Sequence, residues 1–238
     1  IYDADDVGAV EVANAIELER PDVQLTTVGE AAIGTFRLEQ VMLSPGRTDF
    51  SLAGINARFQ LSTPGSHSAK NAALAVAAVC SLYEDRVENL ETETLTQGLS
   101  RFAGTRRRSE VVGEVGGITF VEDYGHHPTE IRVTLTGLSR FFAGRRLIVD
   151  FMPHTFSRTA QLLEDFGSVF GAAAQVILHD IYASARESNE SGISGLDLFQ
   201  TVKRYHANTS YTPRVDDVEA IELALASVRS GDVFITMG

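Results

Sequence analysis

The rhythm of apolar positions changes near Thr105. Before it the texture is mixed. "ADDVGAVEVANAIELE" predicts a helix with Val7, Val10, Ile16 and Leu18 as its apolar positions. "VQLTTVG", "TFRLEQVML" and "DFSLAGINARFQL" predict short strands separated by turns, the last alternating like a half-buried hairpin strand. The Ala-rich run from about His67 to Tyr83 predicts a helix capped by Thr63 or Ser66. A second helix is expected near Leu90 to Phe102.

Beyond the change, strands and helices alternate. "VGGITFVEDYG" predicts a strand. "PTEIRVTLTGLSRFF" predicts a helix with Ile131, Leu135, Leu138 and Phe142 on one face. The strand "RRLIVDFMP", a helix over roughly 158–171, the strand "AQVILHDIY", the helices "GLDLFQTVKRY" and "DDVEAIELALASV", and the strand "DVFITM" follow. The strands are continuous apolar runs, as in a parallel sheet buried on both faces. The alternation predicts an α/β, doubly wound, mostly parallel domain over 106–238, preceded by a separate piece over 1–105.

Composition adds limits. The 238 residues are 44% hydrophobic and 22% charged, an ordinary globular balance. The net charge of −12 argues against nucleic-acid phosphates as a partner, yet a local arginine cluster could still hold a small phosphate-bearing molecule. Cys80 is the only cysteine, so no internal disulfide forms, which fits a reducing compartment. No apolar run approaches about 20 residues, so no membrane span is expected. The chain starts without methionine, and both ends read as cut, suggesting a fragment of a longer protein.

Three predicted strand ends carry chemistry: "EDYGHHP", "MPHTFSRT" and "HDIYASARE". In an open parallel sheet such ends converge on one crevice. Asp123, His126 and His127 suit metal binding, acid–base work or substrate holding. They also suit a plain turn in which His127 caps the helix opened by Pro128 and Asp123 satisfies loop amides. A zinc set of His126 or His127 with His154 and His179 lacks helical ligand spacing and cysteines, so no dedicated metal site is expected. Arg158 is an anion ligand near a helix N-terminus or a solvated arginine. "TRRRSE" is a phosphate clamp or a solvated run paired with Glu110. Asn71 contacts a base or sugar, or only caps and packs its helix. No Gly-rich phosphate loop is present.

Five segments, "GSHSAKNAALA", "FAGTRRRSE", "EDYGHHPTEI", "FMPHTFSRT" and "IYASARE", taken in this order and spacing, resemble the Mur ligase family across essentially the whole chain. The resemblance implies three domains in the complete enzyme: a UDP-sugar domain, a central ATPase and a Rossmann-like last domain. This chain would hold the late part of the ATPase domain (1–105) and the whole last domain (106–238), with the P-loop and main Mg2+ ligands upstream. The implied reaction is amide formation driven by ATP. A carboxylate takes the γ-phosphoryl group as an acyl phosphate, and an amine then displaces phosphate. The matching branch joins L-alanine to UDP-N-acetylmuramate in peptidoglycan precursor synthesis, in the cytoplasm, as a monomer or homodimer.

By the same resemblance, Asn71 would contact adenine and His67 would bind the nucleotide beside it. Arg107 and Arg108 would reach ATP phosphate from a hinge near Arg106, and Asp123 would contact nucleotide. Tyr124, His126, His154 and Arg158 would surround the amino acid and the muramoyl carboxylate, with His126, Arg158 and Arg108 as the catalytic set. The chain departs from the pattern at Ser68 for asparagine, Met152 for glutamine and Thr155 for arginine. A sister branch that attaches a recycled tripeptide carries "EPRSNTM" where this chain has "PHTFSRT". A non-catalytic nucleotide-binding module and a metal-dependent hydrolase are the remaining alternatives.

Overall fold

In the computed structural model, which describes residues 1–83, 92–183, 187–213 and 218–238, contacts divide the chain into two units, Ile1–Ala103 and Gly104–Gly238. The first unit runs β1 (Tyr2–Asp3), α1 (Val7–Glu19), β2 (Thr27–Val28), β3 (Leu38–Ser44), β4 (Arg47–Leu52), β5 (Ile55–Leu61), α2 (Ser66–Leu82) and α3 (Thr92–Ser100). β3, β4 and β5 form an antiparallel meander, and β1 pairs with β2 in parallel. Phe50 and Phe59 stack at 5.1 Å on the meander. They share a core with Ala69, Ala73, Val76 and Ala77 of α2. Alanines four apart fall on one helix face, and their short side chains let α2 lie close against its neighbours.

Five expectations for this unit need correction. "DFSLAGINARFQL" is not one strand but the hairpin β4–β5. "VQLTTVG" yields only Thr27–Val28. On α1, Val7 is 74% and Leu18 86% exposed. The buried position is Ala13, flanked by half-buried Val10 and Ile16. At about 100° per residue, 10, 13 and 16 make one stripe, while 7 and 18 fall well over 100° from its centre. The cap of α2 is neither Thr63 nor Ser66 but Gly65, at φ 92 and without a side-chain bond. That left-handed backbone suits glycine. Leu90 and Glu91 lie outside the described residues, and α3 ends before Phe102.

The second unit runs β6 (Glu110–Val115), β7 (Ile118–Asp123), α4 (Pro128–Phe141), β8 (Leu147–Phe151), α5 (Phe156–Gln161), α6 (Leu163–Gly167), β9 (Gln175–Leu178), α7 (Gly195–Tyr205), β10 (Thr209–Tyr211), α8 (Val218–Leu225) and β11 (Val233–Met237). The sheet order is β10-β9-β8-β11-β7-β6, parallel throughout except for β6. Alternate residues serve opposite faces. Leu147, Val149 and Phe151 join Ile131, Leu135, Leu138, Phe166 and Leu198 in one core. Ile148 joins Ile177 and Phe234 in another, against which Val228 packs. The crossovers through α4, α5–α6 and α7 all step toward β10, whereas α8 leads back to β11. Right-handed crossovers therefore put α8 on the opposite face. Two buried faces are the reason these strands read as unbroken apolar runs.

Three features here went unforeseen. "VVGEVGG" holds more than turn glycines: β6 is a strand, joined to β7 through Gly116 and Gly117 at φ 61 and 78. Two consecutive left-handed residues match the twist of a tight hairpin. As an edge strand β6 leaves Val111, Val112 and Val115 exposed, so no core periodicity marked it. The helix expected over 158–171 starts at Phe156, breaks at Leu162 (φ −110, ψ 20) and ends at Gly167, turning Phe166, Val169 and Phe170 into the core. Strand β10 is only three residues long. Asp216 and Asp217 of the last expected helix lie outside the described residues. Among those described, no helix is long and apolar enough to cross a membrane.

Candidate functional site

β11 fills the slot between β7 and β8, so the chain reverses its direction of travel beside it. Register aligns Met237 with both Asp123 and Phe151, and Phe151 with Leu178. Four adjacent strands therefore end level. The segments after β7, β8 and β9 leave the same sheet edge, where open parallel sheets bind ligands.

After β7, Asp123 is 3% exposed. One carboxylate oxygen accepts the Ser109 amide at 2.7 Å and its hydroxyl at 3.2 Å, and the other accepts the Gly125 amide at 2.7 Å. Its loop-amide reading is thus realised in the fold. His127 is the N-cap of α4: its Nδ1 accepts the Thr129 amide at 3.2 Å. Glu130 closes the box, taking the amides of His126 and His127 at 3.2 and 3.3 Å. Burial pushes the Glu130 carboxyl up, but those amides and the nearby His126 and Arg108 charges outweigh it and hold it low. His127 therefore shapes the turn.

His126 and Tyr124 point elsewhere. His126 Nδ1 donates to the Tyr124 carbonyl at 2.9 Å, because a carbonyl only accepts. The His126 ring sits edge-on to Tyr124 at 5.2 Å. The Arg107 guanidinium lies 4.8 Å from the Tyr124 ring centre. Arg107 also donates to Glu122 at 2.7 Å and to the Gly238 carbonyl at 3.3 Å. The partner of "TRRRSE" is thus Glu122 for the Arg107 side chain, while Glu110 takes only the Arg107 amide, at 2.8 Å. Arg106 and Arg108 are exposed.

After β8, the loop extends the pairing with the β9 side beyond the sheet. The Tyr182 amide donates to the Pro153 carbonyl at 2.8 Å, and the Thr155 amide to the Tyr182 carbonyl at 3.1 Å. The His154 and Tyr182 rings lie 5.1 Å apart. His154 Nε2 is buried and has no hydrogen-bond partner among the described residues. Burial depresses the His154 pKa, and the positive charge of His126, Arg158 and Arg107 depresses it further. These four side chains form one electrostatic cluster.

The remaining candidates stand apart. His179 is buried with both ring nitrogens engaged, at 2.6 Å to Asp150 and 2.7 Å to the Thr212 carbonyl. It has no lone pair to spare for a metal. Among the described residues no group of three or more His, Cys, Asp and Glu side chains could hold a metal ion. In the first unit, His67 and Asn71 lie on the first turns of α2, His67 half-buried and Asn71 exposed. Asn71 therefore neither caps the helix nor packs in its core.

Two long-range contacts carried no sequence expectation. Lys70 bridges Asp5 at 2.8 Å and Asp3 at 3.2 Å. Glu187 accepts the amides of Phe156 and Ser157 at 2.8 and 2.9 Å. The only signal for Glu187 is that it ends "IYASARE", one of the loaded segments.

Residues 107–238 match the family model described as Mur ligase, glutamate ligase domain. The chain is 43% identical over its full length to the UDP-N-acetylmuramate–L-alanine ligase of Treponema pallidum, covering 50% of that protein. It is 32% identical over its full length to the enzyme of the same name from Borrelia garinii subsp. bavariensis, again covering 50%. The chain thus spans about half the length of the curated relatives it matches. The crystal structure of UDP-N-acetylmuramate-alanine ligase from Thermotoga maritima superposes with a TM-score of 0.66 at 22% identity, over 84% of this chain and 41% of that one. MurF from Acinetobacter baumannii superposes with a TM-score of 0.71 at 17% identity, over 100% of this chain and 48% of that one. At such identities the two structures speak for the fold alone.

Proposed function

Because this chain belongs to the Mur ligase family, we propose that it is the later half of an ATP-dependent ligase that joins L-alanine to UDP-N-acetylmuramate in the cytoplasm. Residues 1–105 would be the late part of the ATP-binding domain and 106–238 the C-terminal domain. The observation that carries this reading is the match, at 43% identity and over the whole chain, to a relative bearing that name.

The residues fit the chemistry. ATP supplies the phosphoryl group that activates the muramoyl carboxylate, and Mg2+ would be held by residues upstream. Arg107 spends two of its five N–H donors on Glu122 and Gly238, so three are left for phosphate oxygens. Arg108 is exposed for the same task. Asp123 serves the nucleotide chiefly by fixing the backbone from Arg107 to Ser109. Asn71 would meet adenine and His67 the nucleotide beside it. Arg158 would pair with the amino acid's carboxylate. His154, which burial and the neighbouring positive charges hold toward its neutral form, would stand beside the incoming amine. His126 and Tyr124 would wall the muramoyl side and help exclude water.

In the full-length protein, phosphate release should require both UDP-N-acetylmuramate and L-alanine. Release with a tripeptide in place of L-alanine would assign the chain to the recycling branch instead. Arg158→Ala should raise the KM for L-alanine about tenfold or more, since charge-assisted hydrogen bonds contribute about 1.5–3 kcal/mol, while the KM for ATP stays nearly unchanged. An unaltered KM for L-alanine would remove Arg158 from that role.

A further inference from the structure

We propose that Glu187 is a positioning residue, which clamps the loop after β8 so that His154 and Arg158 are presented together. This rests on the reading of Arg158 as the ligand of the amino acid's carboxylate. The loop needs an external clamp. Thr155, the residue before α5, stands at φ 68 and ψ 131, and its side chain caps nothing. A non-glycine residue in the left-handed region persists only where its surroundings hold it there. The first amides of α5 would otherwise lack partners.

Glu187 supplies both partners from about thirty residues away in sequence. One oxygen takes the Phe156 amide at 2.8 Å and the other the Ser157 amide at 2.9 Å. The Ser157 side-chain and amide hydrogen bonds, then the Phe156 amide and the Arg158 charge, hold its carboxyl below the usual range. The other end of the loop is already tied, through the two backbone bonds around Tyr182. Tyr182 and Glu187 thus hold the loop at its two ends. Arg158 follows the clamped amides directly, and its charge is felt at both Glu187 and His154. His154, whose buried Nε2 has no partner among the described residues, lies at the tied end and Arg158 at the clamped end. Releasing the clamp frees Arg158 without touching Arg107, Arg108 or Asp123.

The test uses the full-length protein, with Glu187→Ala, Glu187→Gln and each combined with Arg158→Ala. Glu187→Ala should raise the KM for L-alanine about tenfold and leave the KM for ATP within about twofold. Glu187→Gln keeps one acceptor oxygen and should fall between. Added to Arg158→Ala, the Glu187 change should have little further effect, because it acts through Arg158. A KM for L-alanine that does not move, or one that rises equally with and without Arg158, overturns the proposal. Hydrogen exchange at the Phe156 and Ser157 amides reads the clamp without catalysis. It should speed up at least about tenfold in Glu187→Ala, and unchanged exchange also overturns the proposal. If wild-type protein releases no phosphate with L-alanine, the ligase reading fails. The exchange result then decides the clamp alone.

Discussion

Replacing Asp123 with alanine is expected to destabilise the second unit by about 4 kcal/mol, because buried amides left without partners cost about 1–3 kcal/mol each. Asp123 holds the amides of Ser109 and Gly125, together with the Ser109 hydroxyl. Both amides lie where water cannot replace it: Ser109 and Gly125 are themselves buried. The loss should spread along the backbone. Arg107 and Ser109 have φ of 57 and 48, a left-handed stretch that Asp123 anchors at one end. Urea denaturation of a protein containing this unit measures the cost. Asp123→Asn is the discriminating companion. It keeps one acceptor oxygen but sets an amide donor against a backbone donor, so about half the cost should remain. A destabilisation below about 1 kcal/mol for alanine would mean that the turn is held by other contacts, and that Asp123 is free to serve ligand alone. If the cost is as large as expected, a fall in ATP affinity in this variant reports a displaced Arg107 rather than a lost carboxylate contact.

That entanglement of turn and site also explains what could be read from the sequence. The second unit announced itself because Leu147, Val149 and Phe151 serve one core and Ile148 the other, which erases polar interruptions from the strand. The start of α4 was legible for a local reason: His127, Pro128 and Glu130 complete a capping box within four residues. Strand β6 was not, since its valines face solvent and its hairpin turn is built from two glycines that fit many loops. On α1, valine and leucine could be counted but not aimed. Only the partner surface selects the stripe through Ala13. The contacts that organise the strand ends escape for a different reason. Glu187 reaches Phe156, and Arg107 reaches Gly238, across 31 and 131 residues, and no local pattern encodes such pairs. Motifs named the loops that meet at the sheet edge. The fold alone shows which carboxylates hold them.

The pair of buried His179 and half-buried Asp150 gives the second large effect, and its size depends on pH. His179 Nδ1 faces the Thr212 carbonyl at 2.7 Å, so it must donate, and Nε2 faces the Asp150 carboxylate at 2.6 Å. With the carboxylate ionised, only a doubly protonated ring satisfies both. Burial by itself would depress the His179 pKa. The hydrogen bond and charge of Asp150, the Thr212 carbonyl and nearby Asp180 outweigh it, and the net shift is upward from 6.5. Tyr211 packs here too, with its hydroxyl on Asp180. A raised folded-state pKa means the pair's contribution is complete below 6.5 and is lost as pH climbs through the folded value. Asp150→Ala should therefore cost about 3–5 kcal/mol near pH 6, where it strands a buried cation, and distinctly less near pH 8.5, where the ring can shed its proton. Replacing both residues with leucine should recover only part of the loss, because the desolvation of the charges is relieved but the Thr212 carbonyl loses its donor. Urea midpoints at the two pH values decide the matter. An equal cost at both would show that the pair holds no extra proton in this range, and would remove the pH dependence expected here.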